Sequence, residues 1–425
     1  MSESKEQTTK TVKEASTPDT ILDVQQTTCC IVGGGPTGAV LALILARQGI
    51  PVILLEAHKT FERDFRGDVV HGGGMELLEQ LGLTDRLLEQ IPHSRAKAIQ
   101  YIINGKTIPF VDWSGLKGTR YPYMTIISQV QLIQFLTAEA KRYPNFQLLM
   151  GANVQQLIEE DGIIRGVRYR GNGGWHEVRS HLTVGADGRF SPVRKLAGME
   201  LMETAAPLDV FWFRLPRHTE EPEGLFVRLG NKRFLVTYNT YDGNWQIGYY
   251  ILKGQYRDIQ AAGIEALRQS IVEVVPEFAD RIQHLESWKQ VSFLSIKVGR
   301  LDRWYRSGLL LIGDAAHVML PMGGIGINYG IQDAVVAANV LIEPLKRGEV
   351  QLNHLAAVQR QRQWQIQFIQ ELQYFMQRQV SIKALQSGYA FKLPIYWGLP
   401  LWRDFIARQL AFGVLPPNVK PAYRL

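Results

Sequence analysis

Cysteine is nearly absent: the 425 residues contain two, Cys29 and Cys30, adjacent within one apolar run. Neighbours on a strand point to opposite faces, so the pair builds neither a disulfide framework nor a thiolate zinc site, and a reducing, cytoplasmic setting fits. No uninterrupted apolar run approaches the roughly 18 residues that a spanning helix needs. Basic residues outnumber acidic ones by 47 to 40, a dispersed net charge of +7 with no basic run interleaved with aromatics, which argues against nucleic-acid binding. Neither a nucleophile triad nor a set of residues at metal-ligand spacing is visible, so no metal is expected and any bond-making chemistry falls to a cofactor.

What is present is the composition of a globular protein, with 46% hydrophobic and 20% charged residues. The chain is long enough for two packed units, or for one large core with a lid. Residues 1–27 are polar and rich in Ser, Thr, Lys, Glu and Gln, and read as a flexible leader. Next comes "CCIVGGGPTGAVLALILARQGIPVILLE". Its spacing predicts a buried strand to Val32, a glycine turn, a helix over Ala39–Gln48 and a second strand over Pro51–Leu55, closed by Glu56. Gly33 permits the tight turn, Gly35 lets the backbone approach a pyrophosphate, and Gly38 lets helix and strand pack closely. Glu56 stands about 20 residues further on, where a ribose-hydroxyl acceptor belongs, and an acid there disfavours a ribose phosphate. FAD and NAD both remain compatible with this module.

Two later blocks separate them. "VGADGRFSPVRKLAG" puts Asp187–Gly188 after an apolar strand and supplies Ser191 and Arg194. "LLLIGDAAHVMLPMGGIGINYG" puts Gly313–Asp314 at a strand end, then a glycine-rich turn ahead of a long apolar helix. Acids at the mouths of apolar strands need a partner, and glycines ahead of a helix offer amides to a phosphate or a ring edge. Three loops this far apart imply an elongated cofactor touched from several parts of the chain.

Together and in this order, the blocks resemble the single-component FAD-dependent aromatic hydroxylases, the group typified by para-hydroxybenzoate hydroxylase, over roughly residues 29–362. The resemblance implies an α/β protein: a Rossmann-type FAD-binding fold with an inserted antiparallel-sheet substrate domain and a helical C-terminal region. It implies FAD as resident cofactor, with NADPH or NADH as transient reductant lacking its own Rossmann module. It also implies an FAD-dependent monooxygenase that uses dioxygen to hydroxylate an apolar aromatic, quinone-like or polyketide-like substrate through a flavin hydroperoxide. Carried over by position, Gly33, Gly35 and Gly38 hold the pyrophosphate, Glu56 the adenosine ribose, and Arg66 and Gln129 reach the cofactor. Asp187 positions FAD and the passing nicotinamide, Asp314 binds a sugar or ribityl hydroxyl, and Gly326 and Asn328 lie by the flavin ring. Ile325 stands where many relatives carry glutamine or lysine. Nothing in the sequence names a catalytic base, and His317 reads as a structural hydrogen-bonding histidine.

Between the blocks, "LDVFWFRLP", "KRFLVTYNT" and "NWQIGYYIL" alternate as strands joined by glycine-containing turns. In the resembling family such a sheet roofs the substrate pocket, which makes Phe213, Tyr238 and Tyr249 its candidate contacts. The expected organisation is FAD-binding parts at 28–100, 126–200 and 296–350, substrate-domain parts at 101–125 and 201–295, and a helical region at 351–425. The aromatic stretch Gly388–Pro417 reads either as a segment packed over the body or as a peripheral membrane surface. Competing functions are a reductase of isoprenoid double bonds and a non-catalytic FAD-binding redox factor.

Overall fold

The computed structural model describes residues 20–62, 67–103, 105–387 and 399–424. Its main sheet is parallel in the order Leu309–Leu311, Gly174–Gly185, Ile21–Val32, Val52–Glu56, Phe146–Met150, with Tyr305–Arg306 antiparallel at one edge. Asn153–Glu160 and Ile163–Gly171 extend it as an antiparallel ribbon on Gly174–Gly185. The first strand begins at Ile21, so the polar segment read as leader enters the sheet before it ends; Gln25–Thr27 pair with Val178–Ser180. Both cysteines lie fully buried in that strand, and burial pushes the Cys29 thiol up to about 12, which rules it out as a neutral-pH nucleophile.

The helix Pro36–Arg47 starts on a proline, whose fixed φ suits the first helical position, and every residue from Gly38 to Ala46 is buried. Helix Gly326–Arg347 packs on it at close range: a Cβ on Gly330 would meet Thr37 Oγ1 at 2.1 Å. By length and composition, Met322–Arg347 is apolar enough to cross a membrane, yet it is mostly buried in the body of the protein.

A seven-stranded sheet runs in the order Ser292–Leu294, Leu208–Pro216, Asn244–Leu252, Arg233–Asn239, Leu225–Gly230, Ala98–Ile103, Lys106–Asp112. Leu225–Gly230 adds to the three expected strands and pairs parallel with Ala98–Ile103. It meets Arg233–Asn239 through Asn231 and Lys232, both at positive φ (44° and 57°). That matches a type I′ hairpin, whose twist suits the flanking strands.

The faces of this sheet divide the work. Phe211, Phe213, Leu215, Leu235, Trp245, Ile247 and Tyr249 pack outward against Leu267, Ile271, Phe278, Ile282 and Leu285, forming a second hydrophobic core. Trp212, Leu225, Val227, Phe234, Tyr238 and Tyr250 face the main body. Phe234 and Tyr250 stack at 4.4 Å between ring centroids.

The C-terminal region is helical, with Leu352–Met376 and Pro400–Phe412 as its longest elements. On the first, Leu355, Val358 and Ile366 are buried while Trp364 and Phe375 are exposed. Buried glutamines complete its inner face: Gln370 Nε2 donates to the Gly299 and Val318 carbonyls, and Gln373 Nε2 to those of Leu320 and Met322. Helix Pro400–Phe412 packs over the body through Ile406, Ala407, Leu410 and Ala411. The stretch 388–398 lies outside the described residues.

Candidate active site

The carboxyl ends of the parallel strands open into one cavity of about 530 Å³ that continues under the seven-stranded sheet. Ligands of open α/β sheets bind at this edge. Its glycine end is built by Val32–Gly33, by Gly35 to Thr37 and by Glu56–His58. Gly33 sits at φ 110°, and a Cβ there would lie 2.4 Å from the Ala186 carbonyl oxygen, so only glycine fits. Gly35 differs: no atom lies within 4 Å of where its Cβ would stand. As the N-cap of Pro36–Arg47 it supplies no capping side chain, which leaves first-turn amides available to an anion. Gly38 does not line the cavity; its missing Cβ would sit 2.1 Å from the Gly33 carbonyl oxygen, so its role is close packing.

Glu56 lies at the cavity and is almost fully buried. Its Oε2 accepts the Gly34 amide at 3.0 Å, and its Oε1 accepts the His58 amide at 3.0 Å and faces His58 Nδ1 at 2.7 Å. Asp187 also borders the cavity, but its carboxylate accepts from Ser191 Oγ and from the Val193 amide, holding the start of helix Pro192–Leu196. Burial pushes its carboxyl up against these bonds. Arg194 then joins the two later blocks, donating to the Ala315 and Arg189 carbonyls at 2.9 Å each.

Asp314, Gln129, Gly326 and Ile325 line the same cavity. Asn328 does not: it is buried one turn into its helix, its Oδ1 accepts the His71 amide at 3.1 Å, and its Nδ2 has no partner among the described residues. His71 is buried against Trp113, and its Nε2 lies 2.6 Å from the Gly323 carbonyl oxygen. Burial depresses the His71 imidazole to about 4, so it is neutral and holds the glycine turn. His317 is equally buried and meets Asp333 at 2.6 Å, the structural role expected of it. Arg66 lies outside the described residues. Among the described residues there is no group of His, Cys, Asp and Glu able to hold a metal.

The far end is apolar and aromatic. Tyr101, Phe110, Met124, Trp212, Val227, Phe234, Tyr238 and Tyr250 form its walls, and Leu410 of the C-terminal helix closes it. Tyr238 is therefore a wall residue. Phe213 and Tyr249 are not: the register places Phe213 opposite Ile247 and Tyr249 opposite Phe211, on the outward face that packs on helix Gly263–Val272. Alternation alone says which residues share a face, not which face meets the cavity. The adjacent residues, Trp212 and Tyr250, one step along each strand, occupy the inner face instead.

Asp68 lines the same cavity without having been expected there. It is 8% exposed and lies at the entry to the short strand Val69–Val70, with its carboxylate 3.7 Å from Arg214 Nη2. Burial pushes its carboxyl up to about 7, against the downward pull of Arg214 and the Gln129 amide. The signal available was an acid beside two valines in "FRGDVV", but Asp68 precedes its short strand, whereas Asp187 and Asp314 follow theirs.

Residues 26–369 match the family model described as FAD binding domain. The chain is 36% identical over 344 residues to 6-methylpretetramide 4-monooxygenase of Streptomyces rimosus, covering 79% of this chain and 80% of that protein. It belongs to the FAD binding domain family. Para-nitrophenol 4-monooxygenase of a Pseudomonas species (strain WBC-3) is 26% identical, with 75% of this chain and 78% of that protein covered. The solved structure of PqsL of Pseudomonas aeruginosa in complex with 2-aminobenzoylacetate shares the fold, with a TM-score of 0.73 at 21% identity over 85% of this chain and 97% of that one. The chain is an FAD-dependent monooxygenase, and use of NAD(P)H and dioxygen is typical of its family. The site fits its cofactor: Gly33 admits no side chain, the space over Gly35 is open, and an uncapped helix N-terminus faces it.

Proposed function

We propose that this flavoenzyme hydroxylates a phenolic, polyketide-like aromatic ring held in the aromatic end of its cavity. The observation that carries the reading is the continuity of one cavity from the glycine cradle at Gly33–Gly35 to a chamber walled by Tyr101, Trp212, Phe234, Tyr238 and Tyr250. Such walls suit a flat apolar ring better than a sugar or an amino acid. Relatives named for 6-methylpretetramide, protoasukamycin and para-nitrophenol support the substrate class.

Bound FAD, once reduced by NAD(P)H, supplies activated oxygen. The chain's own residues bind, orient and keep water out. Gly33, Gly35 and the amides opening helix Pro36–Arg47 hold the pyrophosphate, Glu56 the adenosine ribose, and Asp314 a ribityl hydroxyl. Gln129 and Gly326 flank the ring system, while Asp187 and Arg194 hold the DG and GD turns in register. Arg66 is assigned to the cofactor by resemblance alone. Gln373 anchors the carbonyls of Leu320 and Met322, keeping the floor of the chamber in place. A dry chamber matters because water diverts activated oxygen into hydrogen peroxide.

The test is NAD(P)H consumption by the purified flavoprotein with a panel of phenols, quinols and polycyclic aromatics. Oxygen uptake coupled to a product heavier by one oxygen atom is the expected result. Anaerobic reduction of an isoprenoid double bond, with no phenol stimulating uptake, would overturn it. A peripheral membrane contact is a second reading, favoured by exposed Trp364, Phe375, Leu399 and Leu401 near the C-terminal helix. Co-sedimentation with anionic vesicles tests it.

A further inference from the structure

A phenol attacks an electrophilic oxygen far faster as its phenolate, and ionising it in an apolar chamber requires a base within reach. Resting on the hydroxylase reading above, we propose that Asp68 is the group that takes the phenolic proton from the bound ring.

The other carboxylates of the cavity are committed elsewhere. Glu56 is bonded to the Gly34 amide and to His58 at the cradle, and Asp187 to Ser191 and Val193. Asp314 belongs to the turn after Leu309–Leu311, which Arg194 and the Gly313 amide hold in place. Asp68 stands on the aromatic side. Its main chain is fixed, since the Ile127 amide donates to its carbonyl at 2.8 Å, so the carboxylate has a fixed origin from which to reach a ring.

Its charged surroundings tune it without disabling it. Arg214, from strand Leu208–Pro216, spends its nearer donors on Asp242 at 2.9 Å and Gln246 at 2.8 Å, leaving only the 3.7 Å approach to Asp68. The Gln129 main-chain amide, at the start of helix Gln129–Ala140, favours the carboxylate, and Asp242 opposes ionisation from the turn before Asn244–Leu252. Tyr238, on Arg233–Asn239, is kept a neutral phenol by its burial and by the Asp68 charge, so it is not the base. With burial holding the Asp68 carboxyl at about 7, it is a carboxylate above that pH and a carboxylic acid below it.

The proton balance is simple. The phenolic O–H breaks with its electron pair left on the ring oxygen, and a new O–H forms on Asp68. The ring carbon then gains its hydroxyl from the dioxygen activated by reduced FAD; the O–O bond breaks, the second oxygen departs as water, and the ring C–H proton leaves to solvent. The ring oxygen, again carrying a pair, then takes the proton back from Asp68, which returns to carboxylate.

The experiment uses the holoprotein with oxidised FAD and no NAD(P)H, so that no ring is consumed. 4-Nitrophenol is titrated in across pH and the bound ionised fraction is read from the nitrophenolate band, with 4-nitroanisole as a probe that cannot ionise. Wild type should hold a larger ionised fraction than free 4-nitrophenol at the same pH, so that the midpoint of the bound phenol lies below that of the free one. D68N should bind both probes comparably and ionise 4-nitrophenol at least about tenfold less, and D68E should restore part of the signal. In turnover, D68N should lose about 100-fold in kcat, with KM little changed and the acid limb of the pH profile gone. Equal ionisation by D68N and wild type, or binding of 4-nitrophenol by wild type only as the neutral phenol or not at all, overturns the proposal. Should D68N fail to fold, the wild-type titration and D68E decide. If phenols drive coupled oxygen uptake equally in wild type and D68N, the hydroxylase reading stands and Asp68 is excluded as base; if no phenol drives it, that reading falls and takes this proposal with it.

Discussion

One oxygen of Asp333 accepts the Gly313 amide at 2.9 Å and meets His317 Nε2 at 2.6 Å. Its other oxygen accepts from Arg362 Nε at 2.7 Å. A wholly buried carboxylate on helix Gly326–Arg347 thus pins the turn that presents Asp314 to the cavity. Burial alone would push this carboxyl up, but His317 and Arg362 outweigh it and hold it below 3.8.

Replacing Asp333 with alanine should therefore do more than lower stability. It leaves the Arg362 guanidinium buried without its partner, a loss of about 3–5 kcal/mol. It also frees the GD turn. A lowered Tm together with faster release of FAD, read as recovery of free-flavin fluorescence, is the expected pair of results. Because the folded value is depressed, the Asp333 contribution is complete above 3.8 and is lost as pH falls through the folded value.

Gly33 and Gly35 make opposite predictions although they sit two residues apart. Gly33→Ala drives a Cβ into the Ala186 carbonyl and strains a left-handed φ, so the protein should fold poorly with or without cofactor. Gly35→Val places a Cβ with no protein atom within 4 Å, at a φ of −73° that suits any residue. It should keep the Tm of the cofactor-free protein and lose FAD binding by titration. Equal flavin affinity in Gly35→Val would remove the pyrophosphate from that position.

Phe213 and Trp212 should separate stability from specificity. Phe213 is 2% exposed in the outer core, so Phe213→Ala should lose about 3–5 kcal/mol in denaturant unfolding while the ranking of substrates is unchanged. Trp212→Leu, on the chamber wall, should alter KM and the coupling of oxygen uptake to product, with a smaller stability change.

Asp68 carries a stability signature of its own. Its carboxyl moves from 3.8 to about 7 on folding, so the folded state binds the proton more tightly. Across that interval stability declines as pH rises, and it levels off above the folded value. In the cofactor-free protein, the Tm advantage of Asp68→Asn over wild type should therefore grow between pH 3.8 and about 7 and then stay constant.

The glycine loop, its flanking strands and the two later acid-bearing blocks were legible because each needs particular residues at particular offsets. Gly33 cannot be anything else in its turn, and a carboxylate at an apolar strand end announces a partner. The inserted sheet was legible as strands, since alternation is a local property. Its orientation was not. Phe213 and Tyr249 carry the same pattern as Trp212 and Tyr250, and only the packing of Gly263–Val272 on one side decides between them. Gly38 and Asn328 show a related limit, because proximity in sequence to cavity residues does not distinguish a wall from the packing behind it. Asp68 was hidden for another reason: its significance depends on Arg214 and Tyr238, which arrive from strands far along the chain.

Helix Pro400–Phe412 contributes Leu410 to the chamber and carries the Ala407 carbonyl that accepts from Trp113 Nε1 at 3.0 Å. During translation this piece emerges long after the cradle at Gly33. A nascent chain lacking it already owns a coenzyme berth but has an open compartment. Sealing thus comes late in biosynthesis, and a truncated product that still captures the coenzyme would be a leaky oxidase, spilling peroxide rather than modifying a ring.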